Sequence, residues 1–181
     1  MTATETKLKG CFIIEPSVLN DPRGYFFESF NQSKFNELIG KTIDFVQDNE
    51  SFSSKGVLRG LHFQTGAYAQ AKLVRVVKGT VLDVVVDMRK ESPTFSKHFS
   101  IELSEDNKRQ LFVPRGFAHG FIVLSDTAIF SYKCDNYYHQ ASERGIRHDD
   151  PFLGIDWKLP KESRIISEKD LVLPILSNIG L

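Results

Sequence analysis

Short apolar segments recur along the whole chain between turn-forming residues, and segments of this length predict strands rather than helices. They span residues 11–16, 25–30, 44–51, 57–64, 72–78, 81–88, 97–103, 110–113, 120–123 and 128–134. Turn signals rich in Gly, Pro, Asp or Ser separate them, at residues 21–24, 53–56, 78–80, 92–93 and 114–116. We therefore predict an all-β protein, and the pattern alone does not separate a jelly roll from an immunoglobulin-like sandwich.

A length of 181 residues and a hydrophobic content of 41% indicate one domain, residues 1–181, with a sizeable core. One short helix is predicted at 33–39, with apolar residues along one side, Ser33 as its cap and Gly40 at its end. After Gly145 the strand pattern weakens and prolines mark an irregular tail. We expect this tail to pack over the body of the domain, because it keeps many apolar residues.

The charge balance argues against binding to nucleic acid or to an anionic membrane surface. Lys plus Arg and Asp plus Glu both number 23, so the formal net charge is zero. The two cysteines, Cys11 and Cys134, lack metal-site spacing and are typical of free thiols in a reducing compartment. Residues 1–10 lack the apolar stretch of a signal peptide, and no segment is apolar enough to span a bilayer. A cytoplasmic protein is therefore the expectation.

The predicted strand at 57–64 carries an arginine and a histidine, and Lys72 opens the next strand. Strict alternation places Gly60 and His62 on one face of that strand and Arg59 on the other. An imidazole gains and loses a proton near neutral pH, and cations close to it suggest proton-transfer chemistry beside an anionic ligand. A buried structural histidine with solvated basic neighbours is the alternative that this pattern leaves open.

A turn containing Pro114 and Gly116 leads to His119, and this pattern resembles the second motif of cupins. Cupins are small jelly-roll barrels, many of which bind a metal through several histidines and a glutamate. The first cupin motif is incomplete here, because Gln64 stands where a second histidine should follow His62 and the later carboxylate is missing. Two histidines are too few for an ordinary catalytic metal site. We therefore predict no metal, and an interior that works through protein acids and bases.

From residue 11 to residue 174 the chain resembles the dTDP-4-dehydrorhamnose 3,5-epimerase family. The motifs that carry the resemblance occur in that family's order, at residues 21–28, 47–51, 59–64, 72–79, 83–89, 92–95, 103–104, 114–121, 132–134, 137–138, 143–146 and 167–170. The resemblance implies a cupin-type jelly-roll barrel or sandwich, with a few short helices and a C-terminal tail packed on the barrel. Two places depart from the family pattern: residues 66–69 replace a loop that usually contains proline, and His148 replaces an aromatic residue.

The resemblance also implies a reaction: conversion of dTDP-4-keto-6-deoxy-D-glucose to dTDP-4-keto-L-rhamnose, on the way to dTDP-L-rhamnose for bacterial polysaccharides, without a cofactor. By similarity, His62 is the base and Asp170 accepts a hydrogen bond from its other ring nitrogen. Tyr132 is the proton donor on the opposite sugar face, and Lys72 stabilises the C4 oxyanion. Without the resemblance, these last three residues would be interpreted as a surface carboxylate, a core tyrosine and an exposed lysine.

The resemblance implies a set of substrate contacts as well. Arg23 and Arg59 correspond to arginines that bind the diphosphate, and Tyr138 to a residue that stacks on thymine. The other implied contacts are Glu28, Gln47, Asp48, Asn49, His119, Glu143 and Lys169. In this family the N-terminal segment reaches a neighbouring subunit, which implies a homodimer with shared sites.

Three alternatives remain open from the sequence. A relative that inverts only C3 or only C5 keeps most of the same residues. A metal-dependent cupin enzyme and a non-catalytic sugar-nucleotide binder are the other two.

Overall fold

The computed structural model describes residues 1–179, which form two facing β-sheets. The strands are β1 (Thr2–Glu5), β2 (Phe12–Glu15), β3 (Leu19–Asp21), β4 (Gly24–Phe26), β5 (Gln47–Ser54), β6 (Val57–Gln64), β7 (Lys72–Lys78), β8 (Thr80–Asp87), β9 (His98–Ser104), β10 (Gln110–Val113), β11 (Phe117–Val123), β12 (Thr127–Cys134), β13 (Glu143–Gly145) and β14 (Ile165–Ile166). The first sheet has the order β1-β2-β10-β7-β12-β5, and the second β13-β6-β11-β8-β9, with β14 parallel to β6. Strands β3 and β4 pair only with each other. The all-β prediction is therefore confirmed.

Helical segments are short. They are α1 (Gln32–Ile39), α2 (Glu168–Leu171) and the 3₁₀ turns Gly66–Tyr68, Gln140–Ser142, Lys161–Ser163 and Leu176–Asn178. Within residues 1–179 no helix has both the length and the apolar character needed to cross a membrane.

The main core lies between the two sheets. Val74 and Phe130 from the first sheet pack with Val85, Leu103 and Phe121 from the second, and all five are buried. These inward residues recur at alternate positions, as expected for strands with one face in a core. The two sheets form a cupin-like sandwich rather than a closed barrel. Of the two forms that the family resemblance implied, barrel or sandwich, the chain therefore has the sandwich.

Each sheet also has a covered outer face. The C-terminal tail packs on the second sheet, where Trp157 and Leu153 join a cluster with Leu58 and Ile146. The indole N–H of Trp157 donates to the His148 carbonyl at 2.8 Å. This docking of the tail was predicted from its apolar residues, and it brings the segment after Ile165 back to β6.

Helix α1 covers part of the outer face of the first sheet, through the buried side chains of Phe35 and Ile39. The predicted helix at 33–39 is confirmed, and Gly40 ends it with a φ of 66°. The predicted cap was wrong. Asn31, not Ser33, accepts the hydrogen bond from the Lys34 amide, so the helix begins one residue earlier than predicted.

Some predicted strands have other bounds. Residues 25–30 are not one strand: only Gly24–Phe26 is extended, and Phe30 turns in to pack its ring against Phe35. The predicted strand at 44–51 is the segment Gln47–Ser54. The predicted strand at 120–123 begins earlier, at Phe117.

Candidate active site

A β-bulge in β6 shapes the site. His62 lies opposite His119, and Arg59 lies opposite Phe121. These two pairs are three positions apart along β6 but only two positions apart along β11, so β6 contains one extra residue. Gly60 occupies the bulge with a φ of 115°, and a Cβ there would lie 2.6 Å from the His119 carbonyl oxygen. Glycine is the residue that tolerates both the dihedral and the close approach.

The bulge reverses the alternation of side chains. Arg59 and His62 both line the cleft between the sheets, while Leu61 and Phe63 stay in the outer cluster under the tail. The prediction that Arg59 and His62 lie on opposite faces was therefore wrong, because simple alternation does not include the extra residue of a bulge.

The cleft holds a cavity of about 550 Å³. His62 and His119 line it from the second sheet, and Lys72 and Tyr132 line it from the first. A smaller cavity of about 330 Å³ shares His62, Lys72 and Tyr132 with it and continues toward Gln47, Asn49, Gln64, Gln70, Tyr138 and Glu143. The two cavities thus form one elongated cleft with the titratable groups at their junction.

His62 is paired with Asp170 from the tail. Its Nε2 lies 2.7 Å from Asp170 Oδ1, and the Gly60 amide donates to Asp170 Oδ2 at 3.2 Å. Asp170 is 3% exposed and sits in α2, which Ser167 caps. Burial by itself raises the pKa of Asp170, but the hydrogen bond and charge of His62, together with hydrogen bonds from the Gly60 amide and Ser167, hold that pKa below its usual value. The pair leaves the other ring nitrogen, Nδ1 of His62, for the cleft.

Tyr132 and Lys72 stand on the opposite wall. The Lys72 Nζ lies 5.9 Å from the centroid of the Tyr132 ring. Burial raises the pKa of Tyr132, with Arg59 opposing, and burial also lowers the pKa of Lys72, with the charges of Asp83 and Glu143 opposing. None of the ion pairs formed within residues 1–179 includes Lys72 or Arg59. Two cations therefore face the cleft without a carboxylate partner in the described part of the chain.

His119 belongs to a second histidine–aspartate pair that the sequence did not reveal. Its Nε2 lies 2.9 Å from Asp83 Oδ2, and both side chains are buried. The other oxygen, Asp83 Oδ1, has no hydrogen-bond partner among the described residues. An aspartate among the apolar residues in the middle of strand β8 is a sequence signal that marks Asp83 as a buried polar group, although it does not reveal the partner.

Polar groups line the far end of the cleft. The Tyr138 hydroxyl donates to Glu143 Oε2 at 3.1 Å, and Lys169 Nζ donates to the same oxygen at 2.6 Å. Burial raises the pKa of Glu143, but Lys169 and Tyr138 outweigh it and keep that pKa below its usual value. Gln47 Nε2 donates to Asn49 Oδ1 at 3.0 Å, which fixes both amides at the cavity wall.

Three predicted site residues do not line this cleft in the single chain. Asp48 points to the outer face of the first sheet and pairs with Lys133 at 2.8 Å. Arg23, 90% exposed, pairs with Asp21 in the β3–β4 hairpin, and Glu28 pairs with Lys34. The other predicted residues, namely His62, Lys72, Tyr132, Asp170, Arg59, His119, Gln47, Asn49, Tyr138, Glu143 and Lys169, all line the cleft.

Metal-ligating side chains are not clustered. Within residues 1–179 no group of three or more His, Cys, Asp or Glu side chains has the arrangement to hold a metal ion.

The chain is a cupin-like sandwich with titratable groups in the cleft between its sheets, and its relatives are isomerases. The model of the family described as dTDP-4-dehydrorhamnose 3,5-epimerase matches residues 5–178. The chain therefore belongs to the dTDP-4-dehydrorhamnose 3,5-epimerase family.

Individual relatives agree. The dTDP-4-dehydrorhamnose 3,5-epimerase from Elizabethkingia anophelis NUHP1 is 55% identical to this chain in sequence. Its crystal structure matches with a TM-score of 0.96 and covers 100% of this chain and 99% of that one. A dTDP-6-deoxy-D-glucose-3,5-epimerase from Legionella pneumophila, in complex with dTDP-4-keto-L-rhamnose, is 49% identical, with a TM-score of 0.94 over 98% and 94%. The dTDP-4-dehydrorhamnose 3,5-epimerase of Shigella flexneri is 53% identical over 94% of this chain and 93% of its own.

Proposed function

We propose that the chain converts dTDP-4-keto-6-deoxy-D-glucose to dTDP-4-keto-L-rhamnose by inverting C3 and C5. One observation carries the proposal: His62, backed by Asp170, and Tyr132 line the same cleft from opposite sheets. A base and an acid on opposite walls are what inversion of a carbon between them requires. The substrate is inferred from the names of the relatives and from the ligand bound to one of them.

The first step is removal of a proton. C3 and C5 each flank the C4 ketone, so the carbanion that forms at either carbon is delocalised onto the ketone oxygen as an enolate. His62 takes the proton, and Asp170 holds the ring in one tautomer and stabilises the imidazolium that results. No electrons leave the substrate, so the reaction needs no redox cofactor.

Lys72 stabilises the enolate. Its side chain lines the cleft beside Tyr132, and an ammonium group there would interact more strongly with a developing oxyanion than it would in water. Because the side chain is already in place, little reorganisation is needed as the charge forms.

Tyr132 completes the inversion by returning a proton from the other wall. Its raised pKa keeps the phenol protonated at neutral pH, so it is an acid that can donate to an enolate. His119, held by Asp83, contacts the sugar or its diphosphate.

We infer that the nucleotide extends along the elongated cleft from the sugar. Arg59 is suited to the diphosphate, because a guanidinium binds phosphate oxygens in a bidentate manner. Tyr138 stacks on thymine. The remaining contacts come from Gln47, Asn49, Glu143 and Lys169 at the far end.

We infer that the functional unit is a homodimer with shared sites. The β3–β4 hairpin joins neither main sheet, and it exposes Leu19, Tyr25 and Phe26 by 66, 57 and 69%. A partner's cleft would receive the hairpin together with Arg23 and Glu28 and would cover this apolar surface. Asp48 lies outside the cleft of its own chain, so it would contact a nucleotide only in a dimer with shared sites.

We also propose that the chain is a single domain and acts in the reducing cytoplasm. One core cluster joins both sheets, which supports a single folding unit. Cys11 and Cys134 are buried free thiols, as is usual for proteins of that compartment.

The test is turnover in deuterated water. Purified protein is incubated with dTDP-4-keto-6-deoxy-D-glucose, with and without the NADPH-dependent reductase that consumes the product, and label is located by NMR. We expect label at both C3 and C5 and NADPH consumption. Label at one carbon alone identifies a monoepimerase, and no label identifies a non-catalytic binder. Loss of activity on chelation, restored by a metal, identifies a metal-dependent enzyme.

The Tyr132→Phe variant separates the two proton transfers. It keeps the base, so we expect exchange of substrate protons to continue while the inverted product falls. Full epimerisation by this variant would overturn the role proposed for Tyr132.

A further inference from the structure

Two loops that connect strands meet beside the smaller cavity, and a pair of stacked aromatic rings, one from each loop, joins them. Tyr68 lies between β6 and β7, and His139 lies between β12 and β13. Their rings stack with centroids 4.0 Å apart and an interplanar angle of 9°. Neither ring lines the cavity. Tyr68 belongs to the 66–69 segment that departs from the family pattern.

Hydrogen bonds fix the connection between β12 and β13 on both sides of the ring stack. Gln64 Oε1 accepts from the His139 amide at 3.2 Å, and Gln70 Nε2 donates to the Asn136 carbonyl at 2.7 Å. The Asn136 side chain donates to the Ala67 carbonyl at 2.9 Å. Both glutamines are buried and line the smaller cavity. The backbone of residues 136–139 is therefore anchored to the wall of the cleft at each end.

Tyr138 lies between these two anchors. Its amide donates to Gln47 Oε1 at 3.3 Å, its hydroxyl donates to Glu143, and its side chain is 52% exposed. These contacts hold the edge of the ring and leave its faces open. The orientation of the ring therefore depends on how firmly residues 136–139 are held.

We propose that Tyr68 and His139 are positioning residues, whose stack holds Tyr138 ready for the base of a nucleoside diphosphate. This rests on the proposed function, in which Tyr138 stacks on that base. An ordered binding loop loses less conformational entropy when the ligand arrives, so the stack increases affinity without touching the ligand. The expected gain is about 3- to 10-fold, the range typical of one aromatic pair.

The experiment measures dTDP binding by calorimetry together with steady-state kinetics. Tyr68→Ala should weaken dTDP binding about 3- to 10-fold and raise KM by a similar factor, with kcat within about twofold. Tyr68→Phe keeps the ring and should bind as the parent does. Phe152→Ala, which removes an exposed ring that does not line the cleft, is the matched control.

A second variant tests whether the two rings act as one unit. His139→Ala removes the stack and also the 3.0 Å contact between His139 Nδ1 and Ser142 Oγ, so it should lose at least the factor that Tyr68→Ala loses. The double variant should lose no more than His139→Ala alone. Equal dTDP affinity in the parent and Tyr68→Ala, or a fall in kcat instead of a rise in KM, would overturn the proposal. A parent that does not bind dTDP at all would refute the proposed function as well.

Discussion

Asp170 is the residue whose chemistry depends most on the fold, because 108 positions separate it from His62. We expect Asp170→Asn to lower kcat by about 10²–10⁴-fold with little change in KM, since the amide keeps the shape but loses the charge that stabilises the imidazolium. The coupled assay measures this. Asp156→Asn, which removes an exposed carboxylate paired with Lys158, should leave kcat unchanged. A similar loss in both variants would mean that the effect is not specific to the His62 pair.

The same carboxyl group makes stability depend on pH. A carboxyl whose pKa is lower in the folded than in the unfolded chain stabilises the fold above the unfolded value, and that contribution disappears as pH falls through the folded pKa. The pKa of Asp170 is lowered. We therefore expect the free energy of unfolding of the parent, relative to Asp170→Asn, to decline as pH falls below about 4. Urea unfolding across this range measures it, and a constant difference down to pH 2 would contradict it.

At the scale of a strand, the bulge in β6 is the feature on which the cleft depends. Gly60→Ala should destabilise the fold, because its φ of 115° is unfavourable for alanine and the new Cβ would meet the His119 carbonyl at 2.6 Å. We expect it to cost about 1–3 kcal/mol more than Gly154→Ala, where φ is also positive but nothing lies within 4 Å. Chemical denaturation of both variants tests this, and equal costs would show that the approach of β11 is unimportant.

Local patterns explain which elements the sequence predicted. Helix α1 could be predicted because Phe35 and Ile39 recur at helical spacing before Gly40, all within one short segment. The central strands could be predicted because they are apolar and bounded by turns. β14 could not, since a two-residue strand that pairs with distant Val57 and Leu58 has no pattern of its own.

The same distinction between local patterns and distant pairing separates the site residues that the sequence predicted from those that it did not. The motif around His62 shows a base-capable residue, but only the register of β6 against β11 shows that Arg59 shares its face. Residue chemistry alone did not link Asp170 to His62, and the family resemblance supplied that link. Asp83 was missed because nothing in the sequence of β8 says which strand will bring it a partner.

At the scale of the whole molecule, the single chain leaves Arg23 and Glu28 away from its own cleft. The β3–β4 hairpin that carries Arg23 pairs with no other strand in residues 1–179 and exposes aromatic rings. If a second copy receives this hairpin, His62 and Arg23 of one functional site come from different protomers.

A mixed dimer tests this separation directly. One protomer carries His62→Ala and the other Arg23→Glu, with two affinity tags used to purify only the mixed species. If Arg23 serves the partner's site, one of the two sites has both native residues, and activity should be about half that of the parent although each homodimer is nearly inactive. A dimer pairing His62→Ala with Tyr132→Phe is the matched control. His62 and Tyr132 line the cleft of the same chain, so both of its sites are damaged and it should stay inactive. If the first mixed dimer were as inactive as this control, the hairpin would not complete the partner's site.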